Sequence, residues 1–246
     1  AGTLNAMNYV AHQPGRAASI NLRYRHDGRY FGPKAALRGG SLFGLNFMLH
    51  DVKKEVPFDE EAFANGGMRL IAVATNVKTG KPAYFEKGKT DFDFNEAARA
   101  SASLPLASVP VMLDGQPYFD GGCACPIALN WALQQGFEKI VVVATRQKGF
   151  RKTQPGQRMV DLYDDFYGDQ PLFLADLLTQ ELRYNALMDK LDELEEAGRI
   201  CCLRPHDPID IGRFEGDTGK LLDLYNRGHR ESREALDTLQ AYLEKA

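Results

Sequence analysis

The feature that most constrains the fold is a strand, a helix and a strand in succession near the middle of the chain. The segment "VPVMLDGQPYFD" predicts two short strands about Asp114-Gly115, a dipeptide favoured in tight hairpin turns. Pro126 begins a predicted helix, "PIALNWALQQG", and "KIVVVAT" follows as a buried strand of mostly β-branched residues. This order forms a crossover unit, so the sequence predicts an α/β fold with a mainly parallel sheet.

Segments before this unit add further helices and strands. Helix signals fill the first third of the chain, at residues 1–12, at 16–26 and in "SLFGLNFMLHDV". Apolar β runs follow at residues 68–77 and 83–86, joined by a hairpin-type turn.

Beyond about residue 150 the chain becomes mainly helical. Leucines repeat mostly three and four residues apart before Gly198, and a second apolar stripe runs through the last helical stretch. Between them, "RICCLRP" is one further strand candidate, placed at the sheet edge. We therefore predict a core domain at residues 1–155 and a mainly helical C-terminal extension at residues 156–246.

Composition narrows the class of protein. The 246 residues are 44% hydrophobic, enough for one large α/β domain, and the net charge of -3 argues against nucleic acid as a partner. The four cysteines form one C-x-C and one adjacent pair, which fits neither a disulfide framework nor a zinc site. No apolar run approaches the length of a membrane span. The sequence thus predicts a protein of a reducing compartment, the cytoplasm.

One stretch of the chain is locally basic. Residues 16–38 hold six cations against Asp27 alone: Arg16, Arg23, Arg25, Arg29, Lys34 and Arg38. Such a run is typical of a solvated face, and a contact with anionic lipid or phosphate is the alternative.

The most informative segment is "RASASLPLASVPVMLDGQPYFDGG", residues 99–122. Asp120-Gly121-Gly122 at a strand end is typical of a turn, since Asp bonds its own backbone and Gly supplies positive φ. A carboxylate at a strand end, followed by glycines that let another loop approach, is also where an open α/β sheet places catalytic groups. Both interpretations stay open on these residues alone.

The chain resembles the patatin-like lipid acyl hydrolases, and more narrowly their bacterial members. Four features carry the resemblance: "ASASLP" before a hairpin, "YFDGG" as the family's Asp-Gly-Gly/Ala motif, the strand "KIVVVATR", and the start "AGTLNA". They cover roughly residues 1–152, and the "GxRK" of residues 149–152 and the "GRFE" of residues 212–215 match more loosely.

This resemblance implies a fold, a reaction and a site. The fold would be a three-layer patatin-like sandwich lacking its N-terminal strands, as part of a longer parent protein. The reaction would be hydrolysis of lipid carboxylic esters through an acyl-enzyme, by a serine–aspartate dyad with Asp120 as general base. Ala1 and Gly2 would end the nucleophile elbow, so that the serine immediately precedes Ala1, and the Ala1 amide could assist an oxyanion loop further upstream. Gly121 and Gly122 would support the motif.

Other candidate groups fit this chemistry less well. "GGSLF" lacks the closing glycine of a nucleophile elbow, and "GDTGK" lacks the Ser or Thr that follows Lys in a phosphate loop. Ser101 and Ser103 are interpreted as packing and turn residues. Cys123 and Cys125 are interpreted as small apolar filler, with a nucleophilic or redox role as the alternative. The five histidines are interpreted as surface or structural residues.

Two functions follow from these expectations. The first is the lipid acyl hydrolase, which needs no cofactor and no metal, and whose partner is a lipid or ester substrate with peripheral contact to an anionic membrane surface. The second is a catalytically incomplete patatin-like module that binds lipid or serves as a scaffold. The residue that precedes Ala1 distinguishes them.

Overall fold

The computed structural model describes residues 1–212 and 214–245, and within them six strands form two separate sheets. The strands are β1 Ile71–Asn76, β2 Pro82–Glu86, β3 Val111–Leu113, β4 Gln116–Asp120, β5 Val141–Val143 and β6 Cys201–Leu203. Arg213, inside the "GRFE" match, lies outside the described residues.

Helices make up most of the remaining regular structure. They are α1 Gly2–Val10, α2 Arg16–Tyr24, α3 Pro33–Gly39, α4 Glu60–Asn65, α5 Phe94–Ala100, α6 Leu129–Gln134, α7 Gln157–Tyr167, α8 Pro171–Glu196, α9 Thr218–Glu234 and α10 Leu236–Glu244. The helix predicted in "SLFGLNFMLHDV" is instead a π-helical turn, Phe47–Asp51, followed by a 3-10 turn, Val52–Lys54. Within the described residues, no helix is both long enough and apolar enough to cross a bilayer.

The larger sheet has four strands in the order β2-β1-β4-β3, and every neighbouring pair is antiparallel. Two of the three pairings are hairpins. Asp114 and Gly115 adopt positive φ values of 48° and 70° between β3 and β4, as a tight two-residue turn requires. Gly80, with a φ of 65°, turns the chain from β1 to β2. Strands joined by such short turns can only run antiparallel.

The prediction of a three-layer patatin-like sandwich with a mainly parallel sheet is therefore wrong. It assumed that the strand of "KIVVVAT" joins the sheet of the preceding hairpin. Instead β5 pairs in parallel with β6, with Val141 opposite Cys201, in a sheet of its own. The crossover between these two strands runs through α7 and α8. Only Val142 of β5 is buried, so this strand is not enclosed on both faces as predicted.

The chain divides into two compact units. One comprises residues 1–126 and 155–180, and the other comprises residues 127–154 and 181–246. Helix α8 contributes its first residues to one unit and its remainder to the other. Compact units in a single structure do not establish domain boundaries. The domain ranges 1–155 and 156–246 therefore stay a prediction.

The first unit is organised around α1, α5 and the four-stranded sheet. Met7 and Val10 of α1 lie three residues apart, hence on one helix face, and pack with Ala72 of β1. Helix α5 begins where the Asp93 side chain accepts a hydrogen bond from the Asn95 amide. Ala97 of α5 is fully buried beside them, and its small side chain lets the helix lie close to the sheet.

The second unit has a separate core. Leu129 of α6, Val142 of β5 and Leu191 of α8 pack together, with Ile200 just before β6. The leucines of α8 that recur three and four residues apart thus lie on one helix face, which packs against the two parallel strands.

Candidate active site

Asp120 lies at the end of β4, where hydrogen bonds hold both its backbone and its side chain. Its amide donates to the Ser103 carbonyl over 2.8 Å, and its carbonyl accepts from Thr75 Oγ1 over 2.9 Å. Its carboxylate Oδ1 accepts from the Gly122 amide over 2.7 Å. The residue is half-buried. The carboxylate is therefore positioned by the sheet and by the turn that follows it.

Gly121 and Gly122 are required for space, not for an unusual backbone angle. Neither has a positive φ, so that part of the turn interpretation is wrong. A Cβ on Gly121 would lie 2.4 Å from the Val73 carbonyl oxygen, a distance that backbone atoms cannot accommodate. A Cβ on Gly122 would lie 3.0 Å from Asp120 Oδ1. The two glycines let the chain turn away against β1 while one amide faces the carboxylate.

The "ASASLP" block connects Asp120 to the start of α1. Ser101 Oγ and Thr3 Oγ1 form a buried hydrogen bond of 2.8 Å. Two residues later, the Ser103 carbonyl accepts the Asp120 amide, while Ser103 Oγ donates to the Arg99 carbonyl over 2.8 Å. Both serine hydroxyls are used in structural hydrogen bonds, in agreement with the packing role predicted for them.

Ala1 and Gly2 are exposed at the beginning of α1. The Ala1 carbonyl accepts from the Asn5 amide over 3.2 Å and from Asn5 Nδ2 over 3.1 Å, so it already belongs to the first helical turn. Since Thr3 is tied to Ser101, and Ser103 to Asp120, this helix start and the aspartate are anchored to the same three-residue block.

Two residues that contact the site were not identified from the sequence. Thr75 of β1 is fully buried, and its Oγ1 both donates to the Asp120 carbonyl and accepts from the Ala124 amide over 3.1 Å. Gln180 of α8 donates through Nε2 to the Gly122 carbonyl over 2.7 Å. In the sequence, Thr75 is distinguished only as a polar residue inside an apolar strand, and no sequence feature points to Gln180.

The thiols near the motif differ in their surroundings. Cys123 is buried among Phe119, Tyr167 and Phe173, as expected of apolar filler. Cys125 Sγ lies 3.8 Å from the Tyr84 hydroxyl, and burial raises the pKa of Tyr84 to about 12. Neither Cys123 nor Cys125 forms a disulfide bond.

The first unit also contains an apolar groove of about 720 Å³. Val77, just after β1, lines it together with Leu106 and Phe119. Phe119 directly precedes Asp120 in β4, so the two side chains leave opposite faces of the strand. Tyr167 also lines the groove, and its hydroxyl accepts a hydrogen bond from the Leu106 amide over 2.9 Å. The volume and the predominance of apolar side chains are those of a small-molecule site.

Most arginines of the basic stretch serve the fold. Arg16 donates to the Val56 and Pro57 carbonyls, over 2.8 and 3.0 Å, and burial lowers its pKa. Arg29 forms an ion pair with Asp27 over 2.6 Å, and this contact lowers the pKa of that carboxyl. Arg23 of α2 and Lys34 and Arg38 of α3 remain exposed to solvent.

Metal ligation has no candidate in the described residues. Within residues 1–212 and 214–245, no group of three or more His, Cys, Asp or Glu side chains lies close enough together to hold an ion.

Two comparisons with known proteins give results. Residues 170–244 match the family described as "Domain of unknown function (DUF6363)". The chain is also 28% identical over 149 residues to the uncharacterized protein YjjU of Escherichia coli (strain K12). That alignment covers 59% of this chain and 41% of YjjU, so the chain spans about two fifths of the relative's length. Neither description names an activity, so function is argued from the site.

Proposed function

We propose that the chain supplies the general base of a serine–aspartate lipid acyl hydrolase, with Asp120 as the base and the nucleophilic serine immediately before Ala1. The observation that carries the proposal is the hydrogen-bonded setting of Asp120. Its carboxylate accepts the Gly122 amide, and its backbone shares an anchor with the start of α1, the Ser101 to Ser103 block. The motif resemblance to patatin-like enzymes supports the same assignment.

The proposed reaction has two halves. The serine oxygen attacks the ester carbonyl carbon while Asp120 accepts its proton, and the tetrahedral intermediate expels the alcohol, which takes up that proton. Water then attacks the acyl-enzyme, again losing its proton to Asp120, and the acid leaves with the serine restored. Negative charge on the tetrahedral oxygen requires preorganised donors, for which the Ala1 amide is a candidate.

The groove beside Phe119 supports a lipid ester as substrate. Its lining is mostly apolar, with Leu106, Phe119 and Phe166 among the residues. An acyl chain gains free energy by leaving water for such a surface, whereas a sugar or nucleotide would lose hydrogen bonds there. Cys123 and Cys125 are not joined by a disulfide bond, which favours a reducing compartment, and we propose that the activity belongs to the bacterial cytoplasm.

The test uses the natural polypeptide that contains residues 1–246, called the full-length protein below. Asp120→Asn keeps the Gly122 contact geometry but cannot accept a proton. We expect its kcat/KM for p-nitrophenyl butyrate to fall by about 10²–10⁴-fold, the contribution typical of a general base. The matched control is Asp114→Asn, since Asn is favoured in the left-handed conformation that Asp114 adopts. Activity retained in Asp120→Asn would refute the assignment.

A second measurement locates the nucleophile. A fluorophosphonate probe should label the residue directly before Ala1, and peptide mass spectrometry should identify it as serine. A label on any other residue would refute the dyad as proposed.

The catalytically incomplete module is the alternative function. Ser101 and Ser103 of the motif block are committed to Thr3 and to the Arg99 carbonyl, so neither replaces the nucleophile if no serine precedes Ala1. If the full-length protein has no serine before Ala1, the apolar groove points to lipid binding without hydrolysis.

A further inference from the structure

The first turns of α8 pack against the residues that surround Asp120. Phe173 is fully buried, and its ring stacks on that of Phe119, the residue before the aspartate. Leu177 is 2% exposed and lies in the same core cluster as Phe119. The Asp120 carboxylate leaves the opposite face of β4 from Phe119. Helix α8 therefore supports β4 from the face opposite the carboxylate.

Gln180 extends this helix face to the turn that follows β4. It comes three residues after Leu177 and seven after Phe173, so the three side chains lie on one side of α8. Gln180 Nε2 donates to the Gly122 carbonyl over 2.7 Å. A Cβ on Gly122 would lie 3.9 Å from that nitrogen, which shows how closely the helix approaches the turn. Helix α8 thus contacts the turn through a hydrogen bond as well as through the core.

Gly122 connects Gln180 to the carboxylate. Its amide donates to Asp120 Oδ1 over 2.7 Å, while its carbonyl accepts from Gln180. Glycine has the least restricted backbone of any residue, so the direction of this amide depends on the contacts that hold the residue in place. Because Gln180 holds the carbonyl, the amide of the same residue stays directed at Asp120. The orientation of the carboxylate therefore depends on α8.

The beginning of α8 is itself fixed within the first unit. A Cβ on Gly80, in the turn from β1 to β2, would lie 2.9 Å from the Leu172 carbonyl oxygen. The Tyr167 ring, at the end of α7, packs edge-on against Phe173 with 5.2 Å between centroids. A helix start in such close contact with backbone and aromatic rings has little space to shift. Gln180 therefore reaches the turn from a helix that the core already holds.

We propose that Gln180 is a positioning residue for Asp120, and that it directs the carboxylate through the Gly122 peptide. A general base must lie within hydrogen-bond reach of the proton that it removes, so holding its orientation contributes to the rate. This inference rests on the proposed function and deepens it. It also gives a role to the matched segment of residues 170–244, whose family is described as one of unknown function, because α8 lies within that segment.

The test compares the full-length protein with its Gln180→Met variant, which keeps an unbranched side chain of high helix propensity but has no N–H group. We expect kcat for p-nitrophenyl butyrate to fall about tenfold with little change in KM, because the base acts in the transition state and not in substrate binding. The acidic limb of the pH–rate profile should move to higher pH, since a carboxylate whose hydrogen bond is weakened holds its proton more tightly.

Thr179→Ala is the matched control. Thr179 is exposed beside Gln180 in the sequence, and its hydroxyl donates to the Ala175 carbonyl of its own helix over 2.7 Å. That variant should leave kcat and the pH–rate profile unchanged. Gln180 is only half-buried, so circular dichroism should show that both variants fold like the unsubstituted protein.

Carboxyl NMR titration separates this inference from the proposed function, because it requires no esterase activity. The pKa of Asp120 should rise in Gln180→Met and stay constant in Thr179→Ala, since only the first substitution releases the Gly122 peptide. An unsubstituted protein that hydrolyses no ester would refute the proposed function alone. An unchanged Asp120 pKa in Gln180→Met, or equal effects of the two substitutions, would overturn the role assigned to Gln180.

Discussion

The two compact units differ in how their strands find partners. In the first unit, β1 pairs with β2 and β3 with β4 through short turns, so neighbours in sequence become neighbours in the sheet. In the second, β5 and β6 are separated by about sixty residues that include α7 and α8. Short-range turn chemistry determines the first arrangement, whereas the second depends on a long crossover and on helix packing. The candidate base, Asp120, lies in the unit with the local pairings.

The largest expected effect comes from the aromatic core of the first unit. Phe173 is 0% exposed, and its ring stacks on that of Phe119 at 5.5 Å between centroids. Phe173→Ala should cost about 4 kcal/mol of unfolding free energy in urea, since it leaves a large cavity. Leu172→Ala is the control, because Leu172 adjoins Phe173 in the sequence but is 58% exposed.

Hydrogen exchange then shows whether the units respond separately. In Phe173→Ala, amide protection should fall in β1 and β4 more than in β5 and β6. Equal losses in both sheets would break the comparison, because the two units would then unfold as one.

Gly121→Ala should have the next largest effect. Its Cβ would press on the Val73 carbonyl, so strand β1 or the turn after β4 must move, at about 2–3 kcal/mol of stability. Esterase activity should fall by more than the loss of folded protein explains, because the turn also orients Asp120. Gly67→Ala serves as the control, since a Cβ there would meet no atom within 4 Å. Unchanged activity would show that the turn does not position the carboxylate.

A smaller effect is expected from one hydroxyl of the second unit. Tyr242 Oη accepts from the Ile140 amide over 2.9 Å and donates to the Arg199 carbonyl over 3.0 Å, so it joins the segments that lead into β5 and β6. Tyr242→Phe should cost about 1–2 kcal/mol, since two part-buried polar groups lose their partner. Thermal denaturation measures the loss, with Tyr225→Phe as the control. A neutral result would mean that helix packing alone holds this sheet.

The smallest effect concerns pH. Hydrogen bonds from Arg69 and Lys89 lower the pKa of Glu86, in β2, to about 2. A carboxyl whose pKa is depressed by folding stabilises the native state above its unfolded pKa, and this contribution disappears as the pH falls through the folded value. Carboxyl NMR titration should show the depressed pKa, and Arg69→Met should raise it towards the ordinary range. An unchanged pKa in Arg69→Met would assign the shift to Lys89.

The sequence predicts local structure better than pairing. The run at residues 68–77 contains β1, and the run at 83–86 covers all of β2 except its first residue. The Asp114-Gly115 turn also occurs as predicted, because periodicity and turn chemistry are local properties. The parallel sandwich was wrong because the crossover rule requires a parallel partner for β5 without specifying which strand it is. The candidate site follows the same division. Asp120 and its glycines are readable as a motif, whereas Thr75 and Gln180 reach the site only through tertiary contacts.

The register between β1 and β4 determines which face of the sheet carries Asp120. Thr75 lies opposite Phe119 and donates to the Asp120 carbonyl, so a buried hydroxyl helps to hold this alignment. A slip of a single residue would turn Asp120 to the opposite face of the sheet and bring Phe119 to its place. A chain misaligned in this way would retain much of its secondary structure, but the Asp120 carboxylate would no longer lie at the site. Substitutions at Thr75 should therefore appear as loss of function in molecules that still fold.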